Sequence, residues 1–287
     1  MPDKGKSHQA TYSVLQQARL YVGDADHEKD TFATNLGDVG AVSIGDHEKP
    51  RANEDSAAII PVNDHYLVLV VADGVGGMAG ARKASNLTVD TIHKAVTGLD
   101  ETNGSKLRTA ILDGIEAANQ GVLALGNGSA STLALAEIGP GYVRTYHVGD
   151  SIVLLCGQRG RLKYLTTPHS PVGFAMEAGL IDESEALHHA ELNLIFNVIG
   201  SADMRIEIGS ETPLSPRDTL LLASDGLTDN ALQEEIIDAM RTGPIDQALS
   251  TLTSLAQGRM ATERPDEPSK PDDYTVILYR PGMKKPT

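Results

Sequence analysis

The run Leu67-Val68-Leu69-Val70-Val71-Ala72-Asp73-Gly74-Val75-Gly76-Gly77-Met78-Ala79-Gly80 limits most what this chain can fold into. An unbroken apolar run bounded by turn residues reads as a buried strand. It ends on a carboxylate and then on glycines, which let the backbone approach a ligand closely or take positive φ. A carboxylate at the end of a buried strand is rigidly placed but costly to desolvate alone, and a cation would offset that cost.

Two glycine-loop readings fail their own context. Gly74, Gly76 and Ala79 fit G-x-G-x-x-G/A, but a dinucleotide site needs a second parallel strand ending in an acid about 20 residues on. Residues 81 to 96 read as helix, and another helix follows. A phosphate-gripping loop would need Gly-Lys-Ser/Thr directly after these glycines, and none follows them. A tight turn with an incidental acid stays open for this segment alone. The pattern recurs, however. Thr219 to Ala223 runs into Ser224-Asp225-Gly226-Leu227-Thr228-Asp229, and Tyr142 to Val148 runs into Gly149-Asp150. Glu54-Asp55 and Asp272-Asp273 each directly precede a strand-like run. Such acids are ordinarily turn formers. Five strand-end acidic segments favour a site at one sheet rim, although spacing alone does not bring them together.

The 287 residues, 40% hydrophobic, suffice for one large domain or two small ones. Trp is absent and aromatics make up 4%, so the core has to be aliphatic. Strands are expected at Asp38–Ile44, Ser56–Val62, Tyr66–Ala72, Ser131–Glu137, Gly141–Val148, Ile152–Cys156, Leu162–Leu165, Met204–Ile208, Thr219–Ala223 and Tyr274–Tyr279. Helices are expected at Ala81–Val96, Ser105–Leu125 and Ser184–Ala190, with two more between residues 232 and 255. Blocks of strands and helix pairs, without strict alternation, point to an α+β fold with antiparallel sheets between helices. Residues 1–35 read as an N-terminal extension with one short helix over Tyr12–Leu20, and 282–287 as a tail. The Pro-rich stretch Thr262 to Pro271 reads as an exposed loop.

The net charge of −15 argues against nucleic-acid or anionic-membrane partners. The single cysteine, Cys156, sits in an apolar run and reads as a packing residue rather than a nucleophile. With no internal disulfide, no signal-peptide core and no run of about 20 apolar residues, a cytoplasmic location is expected.

In order along the chain, Arg51-Ala52-Asn53-Glu54-Asp55-Ser56, Ala72-Asp73-Gly74-Val75-Gly76-Gly77, Gly128-Ser129-Ala130-Ser131-Thr132, Val148-Gly149-Asp150-Ser151, Ser224-Asp225-Gly226-Leu227-Thr228-Asp229 and Asp272-Asp273-Tyr274-Thr275-Val276 resemble the motifs of the type 2C metal-dependent protein phosphatases (the PPM family). The match spans about residues 35 to 280 and includes a flap-like region, about 168–204. The resemblance implies a β-sandwich of two antiparallel sheets flanked by helix pairs, in a catalytic domain over 36–281. It implies two divalent cations, Mn²⁺ or Mg²⁺. Asp73 would bridge both, Glu54 and the Gly74 carbonyl would complete one, and Asp225 and Asp272 the other. Asp55 would hydrogen-bond metal-bound water, Arg51 would grip the phosphate, and Asp150 and Asp229 would hold a third, weaker cation. All-oxygen ligands favour Mg²⁺ or Mn²⁺ over zinc. Cations ~4 Å apart would lower the pKa of a bridging water for in-line attack.

The chain departs from the family pattern in four places. Arg51 lies three residues before Glu54 rather than four. Val75 stands where some relatives carry a histidine. Pro168 replaces the acid before His169-Ser170, which makes His169 structural. Asp273 replaces an asparagine and is the fallback ligand to Asp272. The function expected is phosphoserine/phosphothreonine hydrolysis in proteins opposed by a kinase. The alternative is a catalytically weak or dead phosphoprotein-binding regulator, although none of the ligand acids is lost.

Overall fold

The structure, a computed structural model, describes residues 12–23, 26–46, 52–75, 80–97, 99, 103–187, 189–192, 194–264 and 267–282. The strands and helices follow in chain order. The first six strands are β1 (Ser13–Val14), β2 (Arg19–Tyr21), β3 (His27–Ala33), β4 (Gly37–Ile44), β5 (Asp55–Asn63) and β6 (Tyr66–Val75). Helices α1 (Gly80–Thr97) and α2 (Gly104–Leu123) come next. They lead into β7 (Ala130–Ser131), β8 (Leu133–Gly139), β9 (Tyr142–Val148), β10 (Ile152–Gly157) and β11 (Leu162–Leu165). Two short helices, α3 (Pro171–Glu177) and α4 (Glu183–Leu187), precede β12 (Glu207–Ile208), β13 (Thr212–Pro213) and β14 (Asp218–Ala223). The last elements are α5 (Asp225–Thr228), α6 (Gln233–Met240), α7 (Ile245–Met260) and β15 (Tyr274–Pro281).

The strands form two sheets, ordered β1-β3-β4-β15-β14-β10-β11 and β12-β9-β8-β6-β5-β2, with β13 pairing to β9 and β7 to β6 off the second path. Pairing is antiparallel except between β1 and β3. The unbroken apolar strands are explained by burial on both faces. In β6, Leu67, Leu69 and Val71 face the opposite sheet, while Val68, Val70 and Ala72 pack under α1 and α2. In β14, Leu220 and Leu222 enter the inter-sheet core, and Leu221 and Ala223 meet α6 and α7. The result is the expected α+β sandwich in four layers, with aliphatic cores between each pair.

The sequence expectation differs from the structure at both ends of the chain. Ser13–Val14 and Arg19–Tyr21 form strands, and there is no helix over Tyr12–Leu20. Arg19–Tyr21 pairs with Ile59 to Ala57 at a sheet edge, and β3 pairs with β4, so backbone hydrogen bonds to existing strands override the local spacing. These residues are thus built into both sheets, not set apart from them. Near the other end, the Pro-rich stretch is not exposed throughout. Pro268 is buried, and Ser269 and Lys270 are half-buried. Helix α3 went unexpected, although Ser170 followed by Pro171 is an N-terminal signal. Its Oγ accepts from the Gly173 N–H at 2.9 Å.

Candidate metal centre

The strand-end acids meet at one rim of the sandwich. Asp55 opens β5 and Asp73 lies near the end of β6, and the two are cross-strand partners. On the other sheet β14 ends at Ala223, directly before Ser224 and Asp225, and β15 begins just after Asp272 and Asp273. A side-chain hydrogen bond joins the sheets at this rim: Ser224 Oγ donates to Asp55 Oδ2 at 2.7 Å. Sequence reading missed Ser224 because nothing local distinguishes it from a turn serine.

Backbone contacts fix each acid. The Asp73 N–H donates to Thr132 Oγ1 at 2.9 Å, and the Thr132 N–H donates back to the Asp73 carbonyl at 2.8 Å. The Gly74 N–H donates to the Glu54 carbonyl at 3.2 Å, and Ser85 Oγ donates to the same oxygen. A Cβ on Gly74 would lie 2.4 Å from the Ala81 carbonyl, so only glycine allows this approach. Asp273 is buried, and its carboxylate accepts the N–H groups of Asp46 and Glu54 at 2.8 and 2.9 Å. It clamps the Glu54 segment, whereas Asp272 stays half-buried and faces the other acids. Asp229 follows α5, and its N–H donates to the Asp225 carbonyl at 2.8 Å. Arg51 lies outside the described residues.

The electrostatics identify these acids as one cluster. Burial, then Asp55, Asp225, Asp150 and Asp272, hold Asp73 well above the usual carboxylate range. Burial and Asp273 do the same for Asp55, against the Ser224 hydrogen bond. Burial, Asp225 and Asp229 push Asp150 up to about 8, and burial and Asp225 push Asp229 up to about 7. Asp150 Oδ1 is buried with no hydrogen-bond partner among the described residues. An all-carboxylate set that repels itself and leaves a buried oxygen unpaired fits hard divalent cations. Among the groups facing it is one that sequence reading missed: Lys270 Nζ lies 2.8 Å from Asp225 Oδ2 and 2.6 Å from Asp229 Oδ2. A cavity of about 410 Å³ opens beside Asp150, Asp225 and Asp229 and is walled by Leu165, Val172 and Ile236.

A second group resembles a metal site but is not one. Ligand atoms of His147, His169 and Glu207 lie within 4.8 Å of one another. His169 Nδ1, however, accepts from the Gly149 N–H at 3.0 Å and from Asn197 Nδ2 at 2.9 Å. The amide is oriented by the Arg205 backbone, so the ring proton sits on Nε2, 3.1 Å from Glu207. A cation at Nε2 would need an anionic ring. His169 is a post that holds Gly149, next to Asp150. Burial pulls His147, whose ring lies tilted against that of His169 at 4.5 Å, down to about 3.

The family profile described as protein phosphatase 2C matches residues 45–256. The chain is 32% identical over 199 residues to a putative protein phosphatase 2C-type of Streptococcus pyogenes, covering 66% of this chain and 79% of that one. It is 30% identical over 203 residues to the serine/threonine phosphatase stp of Listeria monocytogenes, with 66% and 79% covered. Among solved structures, the Streptococcus agalactiae serine/threonine phosphatase superposes with a TM-score of 0.71 at 26% identity, over 84% of this chain and 99% of that one. The catalytic domain of the serine/threonine phosphatase PstP, in complex with two manganese ions, gives 0.65 at 25% identity, over 85% and 98%. The acid rim, the sandwich that builds it and these likenesses agree: the chain belongs to the protein phosphatase 2C family.

Proposed function

We propose that this chain hydrolyses phosphoserine and phosphothreonine in proteins, using divalent cations held by Glu54, Asp73, the Gly74 carbonyl, Asp225 and Asp272. The observation that carries the reading is the convergence of acids from both sheets on one rim, where they hold Asp73 far above its ordinary pKa. The relatives' names supply the phosphoprotein substrate class. Bound Mn²⁺ or Mg²⁺ would supply positive charge against the phosphoryl oxygens and make water more acidic.

The protein's own groups have narrower roles. Asp55, held by Ser224, orients water at the rim. Arg51 grips the phosphate bidentately. Val75 offers no proton to the leaving group, so water supplies it. Cys156 takes no part, because burial pushes its thiol up to about 11 and the side chain lies inside a sheet. The enzyme works in the cytoplasm against a protein kinase. No helix among the described residues is long and apolar enough to cross a membrane.

The test is turnover of an aryl phosphate with Mn²⁺. Activity should vanish with EDTA. Turnover undiminished by the chelator would overturn the metal-dependent reading, and no turnover of any phosphoester by folded, Mn²⁺-loaded protein would favour the dead-regulator alternative.

A further inference from the structure

Lys270 is not a drifting surface lysine. Asn230, wholly buried, grips its backbone from both sides: Nδ2 donates to the Lys270 carbonyl at 2.8 Å, and Oδ1 accepts the Lys270 N–H at 2.8 Å. The same Nδ2 donates to the Gly226 carbonyl at 3.0 Å, tying Lys270 to the helix that carries Asp225. One residue earlier, Ser269 Oγ donates to the Arg259 carbonyl at 2.7 Å, and Arg259 is itself held by Glu235. A fixed backbone reduces the entropy cost of aiming a long side chain. The ammonium lies 2.8 Å from Asp225, 2.6 Å from Asp229 and 3.9 Å from Asp272. Asp150, with its unpartnered Oδ1, is also within electrostatic reach.

We propose that Lys270 is a resident counter-ion on the Asp225–Asp229 side of the rim, standing where a third divalent cation would otherwise bind, so that this chain takes up two cations and not three. The inference rests on the two-cation reading above. Its physical basis is exclusion. A cation bound to Asp229 Oδ2 at the ~2.1 Å typical of magnesium would share its oxygen, and nearly its position, with an ammonium 2.6 Å away. Two like charges that close repel strongly in a half-buried site. Asp225 contacts Lys270 through Oδ2. The cluster thus divides into a cation-binding part around Asp73 and a part that the chain neutralises itself.

Equilibrium dialysis against Mn²⁺, with bound metal counted by atomic emission, tests this on the full chain. Circular dichroism confirms that each variant is folded. Wild type and Lys270→Arg should saturate at two Mn²⁺ per chain. Lys270→Met should gain a third, weaker step at roughly millimolar Mn²⁺. Lys270→Gln, which keeps the length and a hydrogen-bond donor, replaces it should the Met variant not fold. A third ion on wild type, or two on both wild type and the neutral variant, overturns the Lys270 assignment alone. No Mn²⁺ on either protein overturns the two-cation reading, and this inference with it.

Discussion

Two clusters of buried acid in this fold are built on opposite terms. Glu137, in the middle of β8, is wholly buried, and the chain satisfies it completely. Tyr142 and Tyr146 donate their hydroxyls to it at 2.6 and 2.7 Å, and Arg144 Nη1 lies 3.3 Å from it while Nη2 pairs with Glu211. At the rim, Asp55, Asp73, Asp150, Asp225, Asp229 and Asp272 crowd together with Lys270 facing three of them. The first cluster is finished when the chain folds, whereas the second is left short of positive charge. A buried acid that the chain neutralises is structural, and a set it leaves underneutralised points to something bound from outside.

Neutralising one acid in each cluster should therefore have opposite consequences. Asp73→Asn is expected to cut turnover by at least ~10³-fold, while the metal-free protein melts no lower than wild type, because a repulsion has been removed. Glu137→Ala is expected to lower stability by about 3 kcal/mol in a denaturant melt, because it strands Arg144 and two tyrosine hydroxyls. It should leave Mn²⁺ affinity unchanged. A Glu137 variant that loses metal, or an Asp73 variant that melts far lower, would erase the contrast.

Acidity should separate the clusters as well. Asp150 and Asp229 titrate near 8 and 7 in the fold, against about 3.9 when unfolded. Below those folded values the native state holds protons that the unfolded chain releases, so stability rises as pH falls. His147, pulled down to about 3 from 6.5, works the other way below pH 6.5. The metal-free protein should therefore melt a few degrees higher at pH 6.5 than at pH 8, and saturating Mn²⁺ should abolish or invert that difference. Scanning calorimetry with EDTA or Mn²⁺ reads it directly, and a metal-free melt that is flat or rises with pH would contradict it. The smallest effect separates two arginines. Arg51→Ala should raise KM for an aryl phosphate about tenfold with the melting point unchanged. Arg144→Ala should lower the melting point with KM unchanged.

The sequence makes the parts of the site legible but not their assembly. Aliphatic runs ending in Asp73-Gly74 and Asp225-Gly226 mark strands and the residues at their ends, because burial on both faces removes the alternation that water would impose. That Asp55 faces Asp73 and reaches Ser224 across the sandwich depends on register and sheet packing, which no local pattern encodes. Motif register makes Asp272 the ligand and Asp273 the fallback, but only the fold shows that buried Asp273 clamps the backbone N–H groups of Asp46 and Glu54. Lys270 sits in a stretch whose prolines and charges look exposed, and only the grip of Asn230, 40 residues away, turns it inward. Strands β1 and β2 were illegible for the same reason, since their partners and not their own spacing decide them.

Crystals soaked in Mn²⁺ and measured at the manganese absorption edge would locate the cations without reference to activity. Two anomalous peaks should appear on the rim, bounded by Glu54, Asp73, Gly74, Asp225 and Asp272. A rim without peaks at saturating Mn²⁺, or manganese found only beside His147 and Glu207, would contradict the claim that these distant carboxylates fold together to hold metal.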